Sequence, residues 1–247
     1  MKYVVGDIHG EISKLQHLMN HLEGDAEELI FVGDYINKGE NSREVLNYLQ
    51  HLMYNTNTTF LLGNHDFAWI EFAREGRYKD YLLHYGGRKT LDDFGLRRLI
   101  REEIQEMLIQ PYQDFFDSLQ NYCIREDHIV SHAGVHPDSW KEGTLTGAEK
   151  ALSSLPAQKF LYNRQNFLEM DISHTDYYWV FGHTAFHTPY SYQRKRGIDT
   201  GAAYHADAPL TAYCIETHST VDHRGSRESL VEDSLPLTWS SSPEERQ

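Results

Sequence analysis

Three apolar, strand-like stretches near the start of this chain each run into a glycine followed by polar side chains. The motifs at their ends are Gly6-Asp7-Ile8-His9-Gly10, Gly33-Asp34-Tyr35 and Gly63-Asn64-His65-Asp66. Between them, apolar residues recur at helical spacing over residues 12–22 and 45–53, which predicts strand–helix–strand–helix–strand over residues 2–62. Two such crossovers imply parallel strands covered by helices. The polar ends of the three strands are therefore expected at one edge of a sheet, where open α/β sheets bind their ligands.

The side chains at this edge are of types that bind divalent metals. Asp7 and His9 alternate with apolar neighbours along an extended turn, so both can reach one site. Asp34 has two carboxylate oxygens with which to bridge two ions, and the amide oxygen of Asn64 is a weaker ligand. Each motif alone could be a polar turn with an incidental histidine. Three of them in register indicate a pair of divalent ions, which can grip a phosphate group when they lie about 3.5–4 Å apart.

Two later histidines complete the predicted ligand set. His132 and His183 each follow a strand-like stretch and enter a turn of small residues, in Ser131-His132-Ala133-Gly134 and Gly182-His183-Thr184. His187 follows the second of these closely enough to be a minor candidate. The remaining histidines are interpreted as surface groups or as neighbours of the ligands.

Composition limits the partners of the chain. Its formal net charge of −14 argues against a general affinity for nucleic-acid duplexes or acidic membranes, because such binding needs clustered Lys and Arg. The two cysteines, Cys123 and Cys214, do not indicate a disulfide framework, so a reducing compartment is the simpler interpretation. No apolar run reaches the length of a membrane span, and residues 1–5 are too short for the apolar core of a signal peptide. We therefore expect a cytoplasmic protein, with its oligomeric state left open.

The motifs of this chain, taken in order, resemble those of a known family. Gly-Asp-x-His-Gly, Gly-Asp-x-x-x-x-Gly, Gly-Asn-His-Asp, His-Ala-Gly and Gly-His-Thr are similar to the motifs of the phosphoprotein phosphatase (PPP) family of calcineurin-like metallophosphoesterases. The later Asp199-Thr200-Gly201 resembles bacterial members, so the resemblance spans residues 6–201. It implies an α/β (α+β) fold with a central mixed β-sandwich flanked by helices. It also implies two divalent metal ions, with manganese as the first choice and iron, zinc, nickel or magnesium as alternatives.

The resemblance further implies a role for each matching residue. The first metal would be held by Asp7, His9 and Asp34. A second metal, bridged by Asp34, would be held by Asn64, His132 and His183. His65 would be the general acid toward the leaving oxygen, a role that phosphate-ester hydrolysis requires because the leaving group must be protonated.

Two departures from the family pattern affect the predicted acid and phosphate contacts. Asn37 stands where protein phosphatases of the family carry an Asp, so it can accept a hydrogen bond from His65 but cannot stabilise an imidazolium by charge. Acid catalysis should then be weaker for poor leaving groups and less affected for good ones such as a nucleotide phosphate. Lys38 stands where the family commonly carries an Arg and would grip phosphate as a point charge. Arg164, in an aromatic-x-Arg segment like that of the family, and Arg88 are the other phosphate-binding candidates.

These signals leave the substrate open. Our first hypothesis is hydrolysis of phosphate monoesters, foremost phosphoserine and phosphothreonine in proteins, because Gly86-Gly87-x-x-Thr90-Leu91 resembles a segment of small bacterial PPP phosphatases. The alternative is hydrolysis of dinucleoside polyphosphates, because Asn37-Lys38 resembles the symmetrical diadenosine-tetraphosphate hydrolases. A base pocket for that substrate could draw on aromatic residues that are more often core, namely Phe67, Trp69, Tyr81 and Tyr85. A third hypothesis is a slow phosphate-binding regulator that keeps its metals.

The domain organisation follows from the apolar periodicity. Residues 1–217 are predicted to form a single domain with a helical insertion at about 77–121, and residues 218–247 are predicted to be a loosely ordered C-terminal tail. Residues 137–170 are expected to be irregular. The strand signals of the second half lie close together, which favours antiparallel pairing.

Overall fold

Two mixed β-sheets pack against each other in the computed structural model, which describes residues 1–136, 143–230 and 235–239. Helices cover the outer faces of both sheets. The expected α/β (α+β) sandwich flanked by helices is confirmed. None of the helices in these three ranges is long and apolar enough to cross a membrane.

The strands of the described residues fall into one six-stranded and one five-stranded sheet. Their bounds are β1 Lys2–Val5, β2 Glu28–Phe31, β3 Thr58–Phe60, β4 Tyr122–Arg125, β5 His128–Ser131, β6 Tyr178–Phe181, β7 Tyr190–Tyr192, β8 Lys195–Gly197, β9 Thr211–Cys214, β10 Ser219–Asp222 and β11 Arg227–Ser229. The first sheet has the order β11-β10-β9-β1-β2-β3, with β1, β2 and β3 parallel. The second has the order β4-β5-β6-β8-β7, with β5, β6 and β8 parallel.

Helices fill most of the connections between these strands. Their bounds are α1 Ile12–Leu22, α2 Ser42–Asn55, α3 Asn64–Glu75, α4 Lys79–His84, α5 Gly87–Asp93, α6 Arg101–Ile104, α7 Gln113–Asp117, α8 Leu145–Leu152 and α9 Gln165–Glu169. A π-helical turn and a 3-10 turn join α6 to α7. The segment that we assigned to a helical insertion holds α4 to α7.

Side chains of the first sheet alternate between two buried faces. Tyr3 and Val5 pack into the core beneath the helices, whereas Val4 and Ile30 pack against Val180 of the second sheet. Because successive strand residues point to opposite faces, a strand buried on both sides must be apolar throughout. This explains why residues 3–5 of β1 and 29–31 of β2 lack polar alternation, and it fixes their register, so that the polar motifs follow directly where these strands end.

The expectation of an antiparallel second half was wrong for the middle of the second sheet. β5, β6 and β8 run parallel there, and only the edge strands β4 and β7 pair antiparallel with their neighbours. The chain between β5 and β6 spans residues 132–177, which is long enough for the crossover that a parallel pair requires. We had inferred antiparallel pairing from the short spacing between the later strand signals, and that spacing gave no sign of this long crossover.

Two expectations of irregular structure were also wrong. The tail that we began at residue 218 first adds β10 and β11 to the edge of the six-stranded sheet. Val221 is the one large apolar residue of β10, so these strands are held by their backbone ladder and give little periodic signal. The helices α8 and α9 lie within the segment 137–170 that we expected to be irregular. Residues 137–142, 231–234 and 240–247 lie outside the described residues.

A buried lysine anchors the loop between β8 and β9. The Nζ atom of Lys14 donates to the carbonyl oxygens of Ala202, His205 and Ala208 at 2.6, 3.2 and 2.8 Å. Lys14→Met keeps most of the apolar stem but leaves these carbonyls without their donor. We expect the free energy of unfolding to fall by about 2 kcal/mol, because buried acceptors that lose their partner are costly. Urea unfolding measures this change.

The matched control is the exposed pair of Lys89 and Glu40, whose closest atoms are 2.6 Å apart. Lys89→Met removes the same charge from the surface, and the free energy of unfolding should change by less than about 0.5 kcal/mol. Equal effects of the two substitutions would show that Lys14 contributes nothing through its buried contacts.

Candidate metal centre and substrate cavity

Seven polar side chains gather where the strands of the two sheets end. They are Asp7 and His9 after β1, Asp34 after β2, Asn64 and His65 at the start of α3, His132 after β5 and His183 after β6. All seven are buried, with at most 7% of any residue exposed. Because the contributing strands of each sheet run parallel, their carboxyl ends lie at the same edge of the sandwich. The structure thus brings together every residue that we predicted as a metal ligand, and His65 with them.

Asp34 lies at the centre of this group. Its Oδ2 atom is 3.4 Å from Nε2 of His9 and 3.9 Å from Nε2 of His65, and its Oδ1 atom is 3.5 Å from Nε2 of His132. Two sets of ligand atoms share this carboxylate, each with its atoms within 4.8 Å of one another. One set is His9, Asp34 and His65, and the other is Asp34, His132 and His183. A carboxylate that turns one oxygen toward each set can bridge two cations.

His9 and His132 direct unprotonated nitrogens at this carboxylate. Nδ1 of each ring lies 3.0 Å from a backbone carbonyl oxygen, that of Ile36 for His9 and that of Val32 for His132. A carbonyl only accepts, so Nδ1 carries the proton and Nε2 of the neutral ring is bare. Burial lowers the pKa of both rings, that of His9 to about 3, which keeps them neutral. Nitrogen and carboxylate lone pairs that face each other this way suit a cation between them, so the residues present fit divalent metals.

The amide of Asn64 joins the second set. Its oxygen lies 2.7 Å from Nε2 of His132 and 2.8 Å from Nδ1 of His183, while its nitrogen donates to the hydroxyl of Tyr81. The other ring nitrogen of His183 accepts a hydrogen bond from Nε of Arg164 at 3.0 Å. Tyr81 and Arg164 therefore orient two of the ligands from outside, as neighbours of metal ligands commonly do.

Three buried carboxylates concentrate negative charge at this place. Both oxygens of Asp7 accept the backbone N–H of His183, at 3.1 and 3.2 Å. Burial, and then repulsion from Asp199 and Asp34, raises the pKa of Asp7 well above its usual value. Burial likewise raises the pKa of Asp199 to about 6. Burial opposes the ionisation of Asp34 too, but its neighbours, His132 foremost, lower its pKa. A cation would relieve the repulsion between these groups. Asp199 was not among our predicted site residues.

The backbone at the site is held in an uncommon conformation. Positive φ angles between 49° and 73° occur at His9, Asp34, Asn37, Lys38 and His183. Each costs roughly 1–3 kcal/mol, which the surrounding structure must offset. Around Asp34, the carboxylate of Asp66 accepts the N–H groups of Asp34 and Tyr35 at 2.7 and 3.1 Å. A Cβ atom on Gly63 would lie 2.1 Å from the nitrogen of Asp34, so only glycine allows this close approach.

The orientation of Asn37 determines which nitrogen of His65 carries a proton. The Asn37 oxygen accepts the indole N–H of Trp69 at 2.7 Å and the hydroxyl of Thr90 at 3.0 Å. An indole can only donate, so the Asn37 amide nitrogen must face Nδ1 of His65, 2.8 Å away. Our expectation that Asn37 accepts from His65 was therefore wrong, because its oxygen is already engaged. The neutral His65 ring carries its proton on Nε2, which lies 3.1 Å from the hydroxyl of Tyr81.

The three predicted phosphate-binding side chains have different positions. Arg164 lines the cavity beside the metal centre and contacts His183. Lys38 lies at the edge of the site, where its Nζ atom is 3.3 Å from the hydroxyl of Tyr204. Arg88 does not reach the site, because it is exposed and its Nε atom pairs with Asp92 at 3.1 Å. The prediction for Arg88 was wrong, since the glycines before it begin helix α5 and direct it outward.

A cavity of about 930 Å³ opens beside the metal centre. Asn64, His65 and His183 form part of its wall, and Lys159 and Arg164 contribute positive charge. Its aromatic lining comes from Tyr81, Tyr85, Tyr162, Tyr204 and Trp239. Among the described residues that line it there is no carboxylate, although the chain has a net charge of −14. Of the aromatic residues that we considered for a base pocket, Tyr81 and Tyr85 line it, whereas Phe67 and Trp69 are buried in the core.

Tyr204 and Trp239 are cavity residues that the sequence did not indicate. Tyr204 lies in the loop held by Lys14, and Trp239 lies within the segment that we predicted as a tail. Neither residue belongs to a motif or to an apolar periodic pattern. A tryptophan inside a Ser- and Glu-rich segment was the one signal available.

Comparison with known proteins gives a family and several relatives. A family model described as calcineurin-like phosphoesterase matches residues 3–212. A symmetrical bis(5'-nucleosyl)-tetraphosphatase of Buchnera aphidicola is 30% identical over 70% of this chain and 56% of that protein. The corresponding protein of Actinobacillus succinogenes is 28% identical over 63% of this chain and 52% of that protein. The chain thus spans about half the length of these relatives.

A relative of similar length carries a different name. The serine/threonine-protein phosphatase 2 of Escherichia coli is 29% identical over 81% of this chain and 87% of that protein. Among solved structures, a cold-active protein-tyrosine phosphatase of a psychrophilic Shewanella species superposes with a TM-score of 0.62 at 13% identity. It covers 93% of this chain and 80% of its own chain, which supports the fold alone.

Proposed function

Because the chain belongs to the calcineurin-like phosphoesterase family, we propose that it is a two-metal phosphoric ester hydrolase whose best-supported substrates are dinucleoside polyphosphates. The observation that carries the hydrolase proposal is the pair of ligand sets that share Asp34. The substrate class rests on the aromatic lining of the cavity beside them, where the described lining residues include no carboxylate.

The site residues divide between two divalent ions. Asp7, His9 and Asp34 would hold one ion, and Asp34, Asn64, His132 and His183 would hold the other. When bound, such ions neutralise the phosphoryl oxygens and make a coordinated water more acidic. Manganese is our first candidate, with iron, zinc, nickel or magnesium as alternatives, because a mixed imidazole and carboxylate set accepts several of them.

Other side chains of the site handle the substrate. Arg164 lines the cavity next to His183, so its guanidinium can grip phosphate oxygens in a bidentate manner. Lys38 adds a point charge at the edge of the site. His65 lines the cavity and carries its proton on Nε2, beside the hydroxyl of Tyr81, and it would donate that proton to the leaving oxygen.

The arrangement around His65 favours a good leaving group. The amide of Asn37 donates to the ring and brings no negative charge, so it does not stabilise an imidazolium. A neutral imidazole is a weak acid, which suits a nucleotide that leaves as a stable phosphate anion more than a serine alkoxide. The aromatic lining offers surfaces for a nucleobase, and Lys159 and Arg164 favour a polyanion.

A second candidate function is dephosphorylation of phosphoserine or phosphothreonine in proteins, our first hypothesis from the sequence. One observation favours it, namely that the Escherichia coli serine/threonine-protein phosphatase 2 matches over 87% of its length. A phosphoserine ester has a poor leaving group, so this function would require His65 to be a stronger general acid.

A substrate panel separates these functions. The purified chain is loaded with manganese and assayed on diadenosine tetraphosphate, a phosphoserine peptide and an aryl phosphate. We expect the highest kcat/KM for the dinucleotide. A preference for the phosphopeptide would support the second candidate and contradict the first. An absence of turnover on all three, with metal bound, would favour the third hypothesis of a phosphate-binding regulator.

Asn37→Asp tests the role of the neutral amide. The new carboxylate can accept a hydrogen bond from Nδ1–H of a protonated His65 and stabilise the imidazolium by charge, so kcat for an alkyl phosphate should rise by about tenfold. The rate for a good leaving group such as p-nitrophenolate should change little. Steady-state kinetics on both esters at one pH measure the difference. The matched control is Asn55→Asp, an exposed change at the end of α2 that should alter neither rate. Equal changes on the two esters would contradict the role assigned to Asn37.

We also propose a cytoplasmic location. Cys123 and Cys214 are both buried and both free thiols, which fits a reducing compartment.

A further inference from the structure

We propose that Trp239 is a substrate-contacting specificity residue, whose indole stacks on an aromatic group of the ligand, such as a nucleobase, in the cavity beside the metal centre. This inference rests on the proposed function for the identity of the ligand. It assigns a binding role to residues 235–239, here called the C-terminal strap.

The strap pairs with the short segment that follows the predicted metal ligand His183. Thr238 forms a β-bridge with Phe186. The backbone N–H of His187 donates to the carbonyl of Leu237 at 2.8 Å, and that of Trp239 donates to the carbonyl of Ala185 at 2.9 Å. These partners lie two to four residues after His183, so the strap adds an antiparallel segment directly beside the site. A side chain on it is positioned with respect to the metal centre.

The indole of Trp239 is itself held in place. Its Nε1–H donates to the carbonyl of Thr200 at 3.2 Å, and its ring centroid lies 3.9 Å from that of His187. A Cβ atom on Gly201 would lie within 2.4 Å of Nε1, so the ring rests directly on this glycine. Because the one polar atom of the indole is bonded within the protein, what the ring can offer a ligand is the part of its π-surface that His187 and Gly201 leave uncovered.

The position of the ring suits contact with a ligand. Trp239 lines the same cavity as Asn64, His65 and His183, and it remains only half-buried. An indole packed for stability alone would be expected in a core, whereas this one forms part of a wall that contains no carboxylate among the described residues. Base–aromatic stacking contributes enough to change affinity by about tenfold or more.

Competitive inhibition tests the proposal. The manganese-loaded enzyme is assayed with p-nitrophenyl phosphate, and the inhibition constants of ADP and of inorganic phosphate are measured at one free-manganese concentration. For Trp239→Ala we expect the constant for ADP to rise by about tenfold and that for phosphate to stay within about twofold. Trp239→Phe, which keeps an aromatic ring, should recover most of the affinity for ADP.

Two further variants separate stacking from a structural effect. Trp239→Leu keeps apolar bulk and should raise the inhibition constant of ADP as much as Trp239→Ala does. Its thermal stability should stay close to that of the unaltered chain. Leu237→Ala changes a strap side chain that is 78% exposed, and it should leave both inhibition constants unchanged. A parallel rise of both constants in Trp239→Leu, or no change of either, would overturn the proposal. If ADP behaves as expected but the substrate panel shows no dinucleotide hydrolysis, the proposed substrate fails while the role of Trp239 stands.

Discussion

Replacing Asp34 with asparagine is expected to lower kcat/KM by about 10³-fold or more on every phosphate ester that the chain hydrolyses. Asp34 belongs to both ligand sets, with His9 and His132 nitrogens within 3.5 Å of its two oxygens. Asparagine preserves the shape of the side chain but removes its charge and turns one oxygen into an N–H donor. Because metal ions contribute several kcal/mol of charge stabilisation to such reactions, losing the shared ligand should remove about 4 kcal/mol. Steady-state kinetics and elemental analysis of the bound metal measure the two consequences together.

The matched control is Asp207→Asn, since the side chain of Asp207 is 94% exposed. That variant should retain its metal and its rate. An Asp34→Asn protein that kept two ions per chain and more than about a tenth of the rate would contradict the bridging role of this carboxylate.

Replacing His65 with alanine should have the second-largest effect, and its size should depend on the leaving group. For an alkyl phosphate we expect kcat to fall by about 10²–10³-fold, because proton donation to the leaving oxygen is lost. For p-nitrophenyl phosphate the fall should be much smaller, since that leaving group needs little protonation. A series of aryl phosphates measures this as a steeper dependence of log kcat on the pKa of the leaving phenol.

Metal content decides between two roles for His65. Its Nε2 atom lies 3.9 Å from Asp34, so the ring could also belong to the first ligand set. As a proton donor, His65→Ala should keep both ions. Loss of one ion with an unchanged leaving-group dependence would instead identify His65 as a ligand. The control is His51→Ala, an exposed change on helix α2 that should affect neither measurement.

The ligand residues could be predicted because sheet geometry forces them together. Parallel strands place their carboxyl ends at one edge, so Asp7, Asp34 and Asn64 had to meet once β1, β2 and β3 were recognised. His132 and His183 were predicted from the turns of small residues that follow their strands and from the family resemblance, whereas the parallel pairing of β5 and β6 that places them at one edge was not predicted. The strength of the prediction came from short motifs that each follow a buried strand.

Features that depend on tertiary contacts could not be predicted in this way. The orientation of Asn37 is determined by Trp69 and Thr90, which are distant in sequence. Arg88 carries the right charge, but the start of α5 directs it toward Asp92. Trp239 reaches the cavity only because the strap returns to pair beside His183. Such positions follow from how segments pack, and local patterns do not encode them.

The most direct test of the account is the number and coupling of the ions that the chain binds. Manganese is titrated into metal-free protein, the bound ions are counted by equilibrium dialysis, and the electron paramagnetic resonance spectrum is recorded. We predict two ions per chain and an exchange-coupled signal that Asp34→Asn abolishes, since one carboxylate serves both sets. A single bound ion, or two ions without magnetic coupling in the unaltered chain, would contradict the two-metal centre on which the proposed hydrolysis depends.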